Sequence, residues 1–170
     1  MAEPGSDLPM FLVPHILLVE DSPGEAELFC QALQLNWDGR NPRGRMLCPR
    51  IDLVQSGQGA LGLLREQAEM NPPALPAFVV LDLDLPGGSG VMLLRELRQD
   101  TRFSDLPVIG LLWAEDEALM RSLDGLGLLA HEVKPVFFAD LLTLVGRFCH
   151  HFYPITPRLE FSGGERGPHP

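Results

Sequence analysis

Short apolar runs alternate with amphipathic stretches along the chain, the pattern of an α/β fold built on a parallel sheet. His15–Val19 (HILLV) is continuously apolar, as expected of a strand covered on both faces. After it, Ser22 can serve as a helix N-cap, Pro23 as the first helical residue and Glu25 as the capping-box partner. Leu28, Phe29, Ala32 and Leu33 then fall on one face at helical spacing. Asn36–Pro49, rich in Gly, Pro and Arg, reads as a loop.

The alternation continues with a strand over Ile51–Val54, a helix over Gly59–Met70 and a break at Asn71–Pro76. Phe78–Leu83 is the third strand, running into the turn Pro86-Gly87-Gly88-Ser89-Gly90, and Val91–Arg98 is the next helix. Val108–Leu112 and Glu132–Val133 supply the last two strands, with helices over Asp116–Leu126 and Val136–Phe152. The prediction is five parallel strands and five helices, with an N-terminal extension over 1–13, one folded domain over 14–153 and an extended or disordered tail over 154–170. On such a sheet, right-handed crossovers place ligands beyond the carboxyl ends of the strands.

Composition narrows the class. A chain of 170 residues with 45% hydrophobic residues can bury one full core, and is short for two. A net charge of -10 argues against partners made of nucleic-acid phosphates or anionic lipid. Cys30, Cys48 and Cys149 are odd in number and widely spaced, so they read as reduced thiols and suggest neither a disulfide framework nor a zinc site. With no signal-peptide pattern and no apolar run of membrane-spanning length, a cytoplasmic location is expected.

The chemistry falls at the carboxyl ends of the predicted strands. Strand one ends in Glu20-Asp21, strand three in Asp82 with Asp84 two residues on, and strand five in Lys134-Pro135. Acids gathered on one edge repel each other unless a cation neutralises them, and hard carboxylate oxygens favour Mg²⁺. Lys134 adds a point charge suited to a phosphoryl oxygen. A carboxylate beside these two cations is a competent nucleophile for phosphoryl transfer.

The segments LLVEDSPGE, VLDLDLPGGSG, LPVIGL and EVKP resemble the receiver domain of two-component response regulators, over about residues 14–150. The resemblance implies the doubly wound, flavodoxin-like receiver fold. It implies Asp82 as phosphoacceptor, Asp21 as a direct Mg²⁺ ligand, Glu20 as its companion acid in the second shell, the backbone carbonyl of Asp84 as a further ligand, and Lys134 as the phosphoryl contact. It implies a sensor histidine kinase as partner, and self-phosphorylation and autodephosphorylation chemistry in place of turnover catalysis. The opening LLVEDSPGE, the central LDLDLPG and the aromatic-rich FCHHFYPITP are similar to stand-alone regulators paired with bacterial phytochromes. That subgroup implies a homodimer through the fourth and fifth helices and the final aromatic segment, and an output made through protein contacts.

The chain departs from the family pattern at two places. The Thr or Ser that ends strand four falls on Leu112, which cannot donate a hydrogen bond to a phosphoryl oxygen. The aromatic position of strand five falls on His131. Acceptance at Asp82 with an altered conformational switch is therefore expected, and the alternative is a phosphate-independent pseudo-receiver acting as an interaction module. A haloacid-dehalogenase-like phosphatase, suggested by Asp82-Leu83-Asp84, fits poorly, because that family carries its Asp-x-Asp on the first strand. The Gly87–Gly90 loop lacks the Gly-Lys-Ser/Thr ending of a phosphate-cradling loop. His150 and His151 point to different helix faces, and the arginines between Arg40 and Arg50 read as a solvated loop.

Overall fold

Strand β1 (His15–Val19) is buried along most of its length, which requires apolar cover on both sides and accounts for its unbroken hydrophobic sequence. In the computed structural model it sits second in a five-stranded, wholly parallel sheet with β2 (Arg50–Val54), β3 (Phe78–Asp82), β4 (Val108–Leu112) and β5 (Ala130–Val133). The strand order is β2-β1-β3-β4-β5, so the chain reverses direction across the sheet between β1 and β3. The structure describes residues 15–40, 49–70, 74–115 and 117–152, with backbone alone at 38–40 and 149–152. The N-terminal extension, most of the Arg40–Arg50 insertion, Cys48, the side chains of Cys149, His150, His151 and Phe152, and the segment from Tyr153 onward lie outside the described residues.

Five helices cover the two faces. Helices α1 (Pro23–Arg40) and α5 (Phe138–Phe152) lie on one side, where Ala26, Phe29, Ala32 and Leu33 meet Leu144, Val145 and Phe148 over Ile16, Leu18, Val80 and Ile109. Helices α2 (Gly57–Glu69), α3 (Ser89–Gln99) and α4 (Glu117–Leu123) take the other, where Leu61, Leu64, Leu94, Leu97 and Leu123 close over Leu17, Val79, Leu81 and Leu112. Successive strand residues alternate between these two clusters, the period-two arrangement of a sheet buried on both faces.

Most element boundaries move by a residue or two from the sequence expectation, and two shifts have clear causes. The first helix runs on through Arg40, past Asn36, where a loop was expected. Asn36 Nδ2 donates to the carbonyls of Ala32 (2.9 Å) and Leu142 (2.8 Å), and Trp37 is buried, so docking against α5 outweighs the turn propensity of the Asn. The fourth helix ends at Leu123, short of the expected Leu126, because Gly125 and Gly127 take left-handed backbone angles (φ 73° and 61°). Arg98 on α3 then pins this turn and the one before β4, donating to the carbonyls of Leu126, Gly127, Ser104 and Leu106.

The turn between β3 and α3 presses against the carboxyl end of β3. A Cβ at Gly90 would lie 2.4 Å from the backbone oxygen of Asp82 and 3.0 Å from Leu83 Cα. Gly90→Ala is therefore expected to force α3 away from the strand end and to cost about 1–3 kcal/mol, the usual scale of overpacking. Urea unfolding followed by circular dichroism would check this; an unchanged midpoint would show that the turn gives way freely.

Candidate functional site

The site forms where three strands end. Glu20 follows β1, Asp82 closes β3, and Lys134 follows β5 with β4 lying between it and β3. A lysine stem is long enough to cross the end of β4, and the backbone N–H of Lys134 is fixed there by the Leu112 carbonyl at 2.7 Å. Its ammonium then meets three carboxylates: Asp82 Oδ2 at 2.9 Å, Glu20 Oε2 at 2.9 Å and Glu25 Oε2 at 2.7 Å. Asp82, Glu20 and Lys134 are 3%, 4% and 8% exposed, so these are interior charges and not a solvated surface pair.

The remaining oxygens are also taken up. Asp82 Oδ1 accepts the backbone N–H of Asp84 at 2.8 Å, and Glu20 Oε1 accepts that of Ser22 at 3.0 Å. Burial pushes the Glu20 carboxyl up, against the pull of Lys134 and the Ser22 N–H, and the net shift is upward. Burial pulls the Lys134 ammonium down, but the hydrogen bonds to Glu25, Asp82 and Glu20 outweigh it and hold the group well above the ordinary lysine value. The two directions have different origins: the lysine has three anions against it, whereas burial outweighs the lysine at Glu20.

Glu20, Asp21 and Asp82 can each offer an oxygen to a common point, with the three oxygens within 4.8 Å of one another. Asp21 is the exposed member of the trio. The donors are all hard oxygens and the edge carries excess negative charge, so the residues fit a divalent cation.

The positions expected to be atypical lie as follows. Leu112 is fully buried in the core cluster beneath α2 and α3, and its side chain contributes no polar atom to the site. His131 is half-buried on β5, with Nε2 3.2 Å from Glu115 Oε1 in the loop between β4 and α4. Phe148 is core, whereas Trp113 is 51% exposed.

Two participants were not anticipated in the sequence. Glu25 was read as a capping-box residue, yet its carboxylate goes to Lys134, while the Ser22 N–H it would have capped is already held by Glu20. The helical position of Glu25, one turn after the acidic strand end, was the available clue, since such a residue can reach back over the strand edge. The second is the loop after β4. Its Trp113 backbone N–H donates to Asp84 Oδ2 at 2.5 Å, and the Lys134 ammonium stands 5.2 Å from the centre of the Trp113 ring.

At the other end of the sheet, His15, Arg50 and Gln67 converge on Asp52, with His15 Nε2 and Gln67 Nε2 each 2.8 Å from Oδ2. Burial pushes the Asp52 carboxyl up, but His15 and Arg50 overcome it and its value falls below the usual carboxylate range. This cluster ties β1, β2 and α2 together, remote from the acidic edge.

Comparison with known proteins gives a consistent likeness. No protein-family model matches the chain. It is 31% identical over 127 residues to the probable methanogenesis regulatory protein FilR2 of Methanothrix harundinacea, a match spanning 74% of this chain and 75% of that one. Among solved structures it is similar to the bacteriophytochrome response regulator AtBRR, with 31% identity, a TM-score of 0.58, and coverage of 79% of this chain and 91% of that one. The phosphorylated cyanobacterial phytochrome response regulator RcpA superposes with a TM-score of 0.70 at 22% identity, over 85% of this chain and 97% of that one, a likeness of fold.

Removing the central cation tests the charge arrangement directly. Lys134→Met should cost on the order of 3 kcal/mol at neutral pH, because Glu20 and Asp82 are left buried without a counter-charge. The deficit should narrow as pH falls toward about 5, since Glu20 already titrates above its ordinary 4.5 and proton uptake by the folded state relieves the repulsion. The lysine's own contribution is complete below its unfolded value of 10.5, so it adds no acid dependence. Chemical unfolding at several pH values would show this; a constant deficit from pH 5 to 8 would contradict it.

Proposed function

The chain belongs to the response-regulator receiver family, and on that footing we propose that it accepts a phosphoryl group on Asp82 from the phosphohistidine of a sensor kinase. The observation that carries the reading is the buried Lys134 ammonium held 2.9 Å from Asp82 Oδ2 and shared with two other acids. A carboxylate oxygen of Asp82 attacks phosphorus, the P–N bond to the kinase imidazole breaks, and the released imidazole nitrogen takes a proton from solvent. Lys134 neutralises the negative charge that develops on the phosphoryl oxygens, and the Asp84 N–H orients the Asp82 carboxylate.

Asp21, Asp82, the backbone carbonyl of Asp84 and, in support, Glu20 would hold Mg²⁺, whose chemistry there is to offset the charge of the incoming phosphoryl group. The likeness to a bacteriophytochrome response regulator supports a kinase of that kind as the donor. No helix among the described residues is long and apolar enough to cross a membrane.

A second reading, an interaction module independent of phosphate, draws on Leu112. Its side chain is wholly in the core, so strand four offers no hydroxyl to a phosphoryl group. The two readings separate in one experiment. With Mg²⁺ and acetyl phosphate, intact mass should show one added phosphoryl group per chain, abolished in Asp82→Asn and strongly reduced in Asp21→Asn. Uptake that survives Asp82→Asn would refute the acceptor assignment. Absence of any adduct would favour the interaction module, and release of many equivalents of phosphate would indicate a phosphatase.

Assembly follows from the same family reading. We infer a homodimer through α4, α5 and the aromatic segment that follows. Support comes from β5, which is an edge strand carrying the exposed Val133 beside the exposed Leu129. Light scattering should return twice the chain mass at micromolar concentration, and Val133→Lys should shift it toward the monomer; a monomer throughout would rule this arrangement out.

A further inference from the structure

A receiver that reports its phosphate needs a mechanical connection between the acceptor and the loop after β4. Here the residue that ends β4, Leu112, is committed to the core. Yet the loop is tied to the site by a different route. Asp84 makes two bonds in opposite directions: its backbone N–H donates to Asp82 Oδ1 (2.8 Å), and its own carboxylate accepts the backbone N–H of Trp113 (2.5 Å). The Trp113 ring in turn faces the Lys134 ammonium at 5.2 Å, and Lys134 returns to Asp82 Oδ2 at 2.9 Å. Asp82, Asp84, Trp113 and Lys134 thus form a closed circuit of contacts that begins and ends on the acceptor. A second polar contact, His131 Nε2 to Glu115 Oε1 at 3.2 Å, joins the same loop to β5.

We propose that the Asp84 carboxylate is a positioning group that holds the loop after β4 in place through the Trp113 N–H, and that phosphorylation of Asp82 releases it. The inference rests on the acceptor reading above and adds how that site is read out. The reasoning is electrostatic. An aspartyl phosphate carries close to two negative charges where the carboxylate carried one, and it presents several strong acceptor oxygens. It competes for the Lys134 ammonium, drawing it from the indole face, and it repels the Asp84 carboxylate two residues away. Both contacts that hold Trp113 are therefore weakened by the same added charge. Trp113 is half exposed, so no core packing opposes its departure. A hydroxyl in place of Leu112 would be pulled toward the phosphate; this circuit would instead let go.

The Trp113 backbone amide reports the contact directly, through its nitrogen–proton resonance and its hydrogen-exchange rate. In the unphosphorylated protein, Asp84→Ala should shift that resonance and speed its exchange about ten- to a hundredfold, the loss expected for a hydrogen bond to a charged acceptor. Asp84→Asn, whose amide oxygen still accepts, should keep exchange close to the parent. Phosphorylation of the parent by acetyl phosphate and Mg²⁺, with uptake verified by intact mass, should move the Trp113 amide toward its position in Asp84→Ala. An adduct with the Trp113 amide unmoved would overturn the release while leaving Asp82 as acceptor. No adduct at all would overturn the acceptor reading and the release together. Equal exchange in Asp84→Ala and the parent, or equal loss in Asp84→Ala and Asp84→Asn, would show that the Asp84 bond does not hold the loop.

Discussion

A single buried ammonium organises the carboxyl edge of this sheet. Lys134 holds Asp82, Glu20 and Glu25 within 2.9 Å, and the four groups come from three stretches far apart in sequence: the β1–α1 junction with Glu20 and Glu25, the end of β3, and the residue after β5. Charges this far from water persist only when paired, because the cost of desolvating an isolated ion is several kcal/mol. The arrangement is nonetheless unbalanced, since one cation faces three anions. That imbalance gives the edge an appetite for further positive charge. Burial, more than the neighbouring acid, sets the upward shift of Glu20 beside a lysine that is itself held firmly protonated. Stability and chemistry therefore draw on the same atoms.

The topology makes the meeting possible. The chain reverses across the sheet between β1 and β3, which opens the crevice where Glu20 and Asp82 stand side by side. The lysine arrives from β5, with β4 interposed, and only a long flexible stem spans that gap. The residues that leave the end of β4 must then run beside the lysine, so Trp113 comes to face its ammonium. The close approach of Gly90 to the Asp82 carbonyl keeps the start of α3 tight against β3. Each neighbour of Asp82 is thus set by a strand end or by the turn that follows it, and the packed core beneath leaves these positions little freedom.

In a receiver of this kind, acceptance and read-out are separable problems. Acceptance, as proposed for Asp82, needs a nucleophile, a cation and charge compensation, and the strand ends bring a carboxylate, the Lys134 ammonium and acids that fit a divalent cation to one edge. Read-out needs an element with two arrangements whose balance the new charge can tilt. The loop after β4 is joined to its surroundings by Asp84–Trp113 and His131–Glu115, polar contacts at the surface and not core packing. Such contacts are weak enough to be exchanged, whereas Leu112, sealed in the interior, is not.

Much of this could be read from the sequence. The apolar runs located β1, β3 and β4 because the centre of a parallel sheet is buried on both faces, the edge strands β2 and β5 followed from the alternation with helices, and Glu20, Asp21, Asp82 and Lys134 were identifiable by their place at the strand ends. Leu112 and His131 stood out only against the pattern of the receiver family. What the sequence could not determine were contacts between segments whose local signals pointed elsewhere. Glu25 has the look of a capping residue, and only the arrival of Lys134 across the sheet gives its carboxylate a stronger partner. Asn36 looks like a turn former until α5 offers it a carbonyl. Asp84 and Trp113 are 29 residues apart and carry no shared pattern; their bond exists because β3 and β4 lie side by side and end at the same height. Local chemistry marked Asp82, and the juxtaposition of strand ends decided what holds it.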